Sequence, residues 1–194
     1  MKICVYGAAS ASIDKQYIDA AERLGELIAK RGHSLVFGAG ASGMMGGAAR
    51  GVYRHGGEII GVVPTFFNVD GILFDHCTEL IRTETMRERK QVMEDSSDAF
   101  IVSPGGIGTF EEFFEILTLK QLGRHEKPIV VLNINSYYDS MISMLDFSVS
   151  GNFLTDACKK LFYVTDSEAD ALDYIENYTP QKYNILDVRN IKME

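Results

Sequence analysis

The stretch Asp98-Ala99-Phe100-Ile101-Val102-Ser103-Pro104-Gly105-Gly106-Ile107-Gly108-Thr109 decides how this chain folds. Ala99–Val102 is an unbroken apolar run, the pattern of a strand covered on both faces, as in a parallel sheet. Pro104–Gly108 reads as a turn, and the apolar spacing from Phe110 to Leu122 predicts a helix ended by Gly123. Gly105, Gly106 and Gly108 carry no Cβ, so an anion can approach their backbone N–H groups, which form a nest of donors. Thr109 can cap the helix or donate to a phosphate oxygen. A turn serving structure alone is the competing reading.

The same alternation extends in both directions. Strand patterns fall at Ile3–Tyr6, Ser34–Phe37, Glu58–Val63, Glu79–Arg82, Pro128–Leu132 and Leu161–Val164. Between them lie helical patterns. Ser12 or Asp14 caps the first, with Ile18, Ala21, Leu24 and Ile28 on one face and Gly32 closing it. A second runs from the Gly38–Gly47 stretch to about His55, and a third, charged one is capped by Thr83 or Thr85 and reaches Met93. Tyr137–Val149 and Glu168–Tyr178 complete the set, and residues 65–77 read as loop. Repeated strand–helix units imply right-handed crossovers and one Rossmann-like, doubly wound α/β domain with a mainly parallel sheet. That domain is expected to span residues 1–180, with 181–194 as a tail of unassigned role. Such sheets bind ligands beyond the C-terminal ends of their strands, which directs attention to the loops after the first, second and fifth.

Composition narrows the function. The 194 residues are 46% hydrophobic, enough for a sizeable core. Lys and Arg number 19 against 27 Asp and Glu, a net charge of −8, and no basic run is present. Nucleic acid and anionic membranes, which need clustered cations, are therefore not expected partners. No stretch approaches a membrane span and the N-terminus is too brief for a signal peptide. Cys4, Cys77 and Cys158 are odd in number and far apart, which suits a reducing cytoplasm and no zinc. The histidines show no metal spacing, so no metal or cofactor is expected.

Other motifs are weaker. Gly38-Ala39-Gly40-Ala41-Ser42-Gly43 fits G-x-G-x-x-G, but it follows the second strand, and Glu58 begins the third strand rather than ending it. A dinucleotide oxidoreductase is thus disfavoured, and a glycine-lined helix start accepting a phosphate or ribose is the better reading. No Gly-Lys-Ser/Thr follows either glycine loop, so neither is a nucleoside-triphosphate loop. Met86-Arg87-Glu88-Arg89-Lys90 is either a solvated charged face or a basic wall facing the glycine turn. Glu111 and Glu112 point about 100° apart on a helix and so cannot share a task.

Taken together these residues resemble the LOG family, the cytokinin riboside 5′-monophosphate phosphoribohydrolases. Pro104–Glu112 matches their PGGxGTxxE signature, Met86–Lys90 their MxxRK element, and Gly38–Gly46 their GGGxxGLMG loop. The resemblance covers roughly residues 1–165 and includes Tyr137-Tyr138. Relatives often carry an older "possible lysine decarboxylase" label, which this short chain, with no lysine context for pyridoxal phosphate, does not support. The resemblance implies hydrolysis of the N-glycosidic bond of an N6-substituted adenosine monophosphate, or of AMP, to free base and ribose 5-phosphate. It implies Arg89 and Glu112 as the catalytic pair, and a nucleotide site shaped by Ser10, Gly40, Gly43, Met44, Met86, Lys90, Gly105, Gly106, Ile107, Gly108, Thr109, Glu111 and Thr118. It also implies a homodimer or larger assembly with the site completed at the subunit boundary. The chain departs from the family at Gly7-Ala8-Ala9-Ser10, where Cys-Gly-Ser-Ser is frequent, and at Ala39, where glycine is usual. The alternative is a non-catalytic carrier of a phosphorylated ligand, such as the molybdenum-cofactor carriers.

Overall fold

Seven strands form one sheet in which every pairing is parallel, in the order β4-β3-β2-β1-β5-β6-β7. The computed structural model describes residues 1–67 and 71–182. The strands are β1 (Lys2–Tyr6), β2 (Ser34–Phe37), β3 (Ile59–Pro64), β4 (Glu79–Thr83), β5 (Ala99–Val102), β6 (Ile129–Leu132) and β7 (Tyr163–Thr165). The helices are α1 (Lys15–Lys30), α2 (Gly43–Arg54), α3 (Met86–Asp95), α4 (Ile107–Gln121), α5 (Asp139–Ser150) and α6 (Glu168–Glu176). Most of the expected tail, like Asn68–Asp70 of the expected loop, lies outside the described residues.

Period-two alternation along each strand sorts side chains to two cores. From β1, Ile3 and Val5 join the layer under α1, α2 and α6. Cys4 and Tyr6 join the opposite layer, with Met93 of α3, Phe113 of α4 and Met141 of α5. Continuous apolar strands follow from this arrangement, because both faces are covered.

Caps resolve the open helix starts. Asp14 caps α1 by accepting from the Gln16 N–H at 3.0 Å. Thr85 caps α3 by accepting from the Glu88 N–H, while the Glu88 carboxylate returns to the Glu84 N–H at 2.8 Å. Two helices start elsewhere than expected. α4 begins at Ile107 with Gly106 as its cap, so Thr109 sits in the first turn and caps nothing. α5 begins at Asp139 because Ile134–Ser136 forms a separate 3-10 turn. No helix among the described residues is long and apolar enough to cross a membrane, and no cluster of three potential metal ligands occurs among them.

The strand order reverses between β1 and β5. The chain winds outward through β2, β3 and β4 on one side, then returns to lay β5, β6 and β7 on the other. Tyr6 pairs with Val102, so the two central strands end in step and their loops open a shared crevice.

Candidate active site

That crevice is a cavity of about 440 Å³, within the range of small-ligand pockets. Its floor is built from loops that bond to one another. The Ala8 N–H donates to the Pro104 carbonyl at 3.0 Å, and the Met45 N–H donates to the Ala8 carbonyl at 3.2 Å. Gly43 has φ +62, and a Cβ there would strike the Ala8 carbonyl, so the entry into α2 needs glycine twice over. Ala39 holds a left-handed φ of 60 although it bears a methyl. Its carbonyl accepts from the Phe74 N–H and the Ala41 N–H donates to Ile72, each at 2.9 Å, which clamps the strained turn against residues 72–74.

Arg89 projects from α3 into the crevice and is 7% exposed. Its Nε donates to the Val62 carbonyl at 3.1 Å, and its terminal NH1 to Glu112 Oε1 at 3.0 Å. The guanidinium lies against Gly38, where any Cβ would collide with it. Two fixed donations and a glycine cradle leave it one orientation. Glu112, on α4, is nearly as buried as its partner. Burial pushes its carboxyl above the ordinary glutamate range, and the Arg89 charge pulls part of the way back. Arg89 engages only Oε1, so Oε2 accepts no hydrogen bond from a described residue.

Beside this pair, α4 opens with no side-chain cap, since Gly106 occupies that position. The first N–H groups of a helix have no intrahelical acceptor. Gly106 and Gly108 both line the cavity, and nothing stands within 4 Å of where their Cβ atoms would be. The positive end of the helix dipole thus meets open space with the backbone exposed, the arrangement that receives anions.

Not all of the expected site residues reach the cavity. Ser10, Gly40, Met86, Arg89, Gly106, Gly108, Thr109 and Glu112 line the cavity. Gly43 and Gly105 sit behind it in the turns that shape it. Met44 is in the core with no exposure, and its neighbour Met45 faces the cavity instead. Lys90 turns away, pairing with Glu111 and, at 2.9 Å, with Glu115. These bonds dock α3 on α4 just outside the Arg89–Glu112 pair. Ile107 points outward, 88% exposed. Thr118 lines a separate apolar depression of about 110 Å³ between α4 and α5. The cavity is also walled by Ala8 and Ala9, in the loop where the chain departs from the family, and by Phe67, Ile72 and Leu73 of the 65–77 loop. Ile72 and Leu73 carry no signal in the sequence beyond their apolar character.

Fold and site define an α/β domain of the Rossmann type, with an anion-ready helix start and a buried carboxylate–guanidinium pair at its switch point. The family described as possible lysine decarboxylase matches residues 45–175. The chain is 34% identical over 193 residues to the cytokinin riboside 5′-monophosphate phosphoribohydrolase LOG1 of Arabidopsis thaliana, covering 100% of this chain and 91% of that one. It is equally similar, at 34%, to a probable enzyme of the same name, LOGL6, from Oryza sativa subsp. japonica, covering 100% of this chain and 77% of the relative. The chain belongs to this family, the LOG family. Among solved structures, the molybdenum cofactor carrier protein of Chlamydomonas reinhardtii superposes with a TM-score of 0.68 at 25% identity, over 90% of this chain and 95% of that one. The molybdenum cofactor binding protein of Rippkaea orientalis, at 22% identity and the same TM-score of 0.68 over 90% of this chain and 93% of that one, shares the fold. Among the described residues, no lysine lines the cavity.

Proposed function

We propose that this protein is a nucleoside 5′-monophosphate phosphoribohydrolase acting on adenosine monophosphates, N6-substituted or plain. The observation that carries this is the buried Arg89–Glu112 pair in one cavity with the uncapped glycine start of α4. The phosphate is received by the N–H groups of that helix start and by Thr109. The ribose then lies over Glu112, and the base rests on the apolar wall of Met45, Phe67, Ile72 and Leu73. The C1′–N9 bond breaks with its electron pair leaving on the base, and C1′ acquires cationic character. Glu112, held ionised and aimed by Arg89, faces that charge and takes a proton from the attacking water. The water oxygen bonds to C1′, the proton taken by Glu112 passes to solvent while the departing base takes one up from solvent, and ribose 5-phosphate and an ionised Glu112 remain. Binding energy from the distant phosphate is thereby used to orient the sugar.

The relatives named above are the second support: two proteins called phosphoribohydrolases align along the whole chain. Incubation with AMP and with isopentenyladenosine monophosphate should release free base, and no release from either would overturn the reading. The likeness to molybdenum cofactor carriers favours a second reading, a carrier of a phosphorylated pterin. A co-purifying pterin without base release would select it. The assembly we propose is a homodimer in the cytoplasm. Phe147 and Met144 of α5 are 76% and 51% exposed beside the Thr118 depression, an apolar face suited to a second copy. Light scattering showing a monomer at micromolar concentration would exclude that assembly.

A further inference from the structure

Asn135 (φ 51, ψ 38) and Ser136 (φ 57) are consecutive non-glycine residues in the left-handed region. Such backbone is strained by about 1 kcal/mol or more per residue and persists where surrounding contacts enforce it. Asn133 supplies those contacts, accepting from the Tyr138 N–H at 2.6 Å and donating to Asp139 at 2.7 Å. The outcome is that Tyr137 and Tyr138, adjacent in sequence, both send their hydroxyls to the glycine turn before α4. Tyr138 donates to the Ser103 carbonyl at 2.7 Å and Tyr137 to the Gly105 carbonyl at 2.6 Å. The Pro104 carbonyl is taken by the Ala8 N–H and the Gly106 carbonyl by the Phe110 N–H, both at 3.0 Å. Four successive carbonyls are thus each engaged.

In a trans peptide the carbonyl of one residue and the N–H of the next point in opposite directions. Fixing the Gly105 carbonyl therefore fixes the Gly106 N–H. A Gly–Gly peptide is the one in this turn freest to flip, because neither residue has a Cβ to restrict it. Fixing the Ser103 carbonyl fixes the peptide entering Pro104, which has no N–H to offer. The two tyrosines therefore do different work.

We infer that Tyr137 is a positioning residue for the phosphate: its hydroxyl selects the orientation of the Gly105–Gly106 peptide in which the Gly106 N–H faces the cavity. Tyr138 anchors the turn without presenting a donor. The inference rests on the phosphate placement proposed above, and titration with ribose 5-phosphate, AMP and adenosine tests it. Tyr137→Phe should weaken ribose 5-phosphate and AMP about 3- to 10-fold, the loss expected for one hydrogen bond. Adenosine, which has no phosphate, should bind as before, and kcat/KM for AMP should fall by a similar 3- to 10-fold. Tyr138→Phe should lower the melting temperature and leave the AMP-to-adenosine affinity ratio unchanged. The inference is overturned if Tyr137→Phe binds ribose 5-phosphate within twofold of the wild type, if adenosine weakens equally, or if Tyr138→Phe changes the ratio as much. A wild-type protein that binds AMP but releases no base would sink the hydrolase reading and leave the inference standing. One that binds no phosphate ester would overturn both.

Discussion

In the proposed mechanism Glu112 carries the heaviest chemical demand, and its substitution gives the sharpest test. Glu112→Gln keeps the shape and a hydrogen-bond acceptor for Arg89 but removes the charge, and should cut kcat about 10²- to 10⁴-fold in a base-release assay. Because burial raises its carboxyl in the folded protein, the acid limb of the activity profile should lie above the ordinary glutamate pKa of 4.5. Arg89→Ala should move that limb still higher and destabilise the fold by about 3–5 kcal/mol, since it strands a buried carboxylate. The identities of these two side chains were legible from Met86–Lys90 and Pro104–Glu112. Which methionine of Met44-Met45 lines the cavity was not, because the left-handed Gly43 sets the rotation at which α2 starts. Thr118 was decidable by arithmetic. Six residues beyond Glu112 turn a helix by about 240°, so one helix cannot aim both side chains into one cavity.

At the scale of elements, α4 shows where stability and function part. Gly108 faces open space, so Gly108→Ala meets no steric obstacle and brings better helix propensity, up to about 1 kcal/mol. The same methyl would stand where the proposed mechanism receives the phosphate. Urea denaturation should show equal or greater stability, while KM for AMP should rise at least about 10-fold, the equivalent of ~1.4 kcal/mol. Elsewhere small residues serve packing. A Cβ at Gly25 would run into the Ala48 carbonyl across the α1–α2 contact, so Gly25→Ala should lower stability by about 1–3 kcal/mol on the same curve and leave KM unaltered. Helix and strand identities were readable from apolar spacing, as at Ile18–Ile28 and Ile129–Leu132. The start of α4 was not: Gly-Ile-Gly-Thr has turn composition, and the Tyr137 bond that holds the turn just ahead of the helix is a tertiary contact.

For the molecule as a whole, one contribution to stability against acid comes from a residue outside the cavity. His125 is buried, shares a hydrogen bond of 2.8 Å with the Ile116 carbonyl, and accepts at Nδ1 from the Lys127 N–H. Burial first, then the neighbouring Lys120 and Lys127, brings its pKa down from 6.5 to about 4. The unfolded chain therefore binds a proton that the folded one refuses between these values. Stability from this residue is complete above about pH 6.5 and is lost as the pH falls to about 4, a total of about 3 kcal/mol. Unfolding midpoints at pH 7 and pH 4.5 should show this loss, and His125→Gln should flatten it. A doubly wound sheet was legible in the strand–helix alternation. The strand order was not, because equally apolar runs do not say which side of β1 each crossover takes.

That order has a practical consequence. The chain steps across the middle of the sheet once, between α3 and β5, and the guanidinium and carboxylate descend from opposite sides of that step. Severed there, each piece would hold half of the proposed catalytic couple and be silent alone. Rejoining along the seam of β1 and β5 would announce itself as restored base release, which makes the reversal point a natural place to split this protein into a complementation reporter.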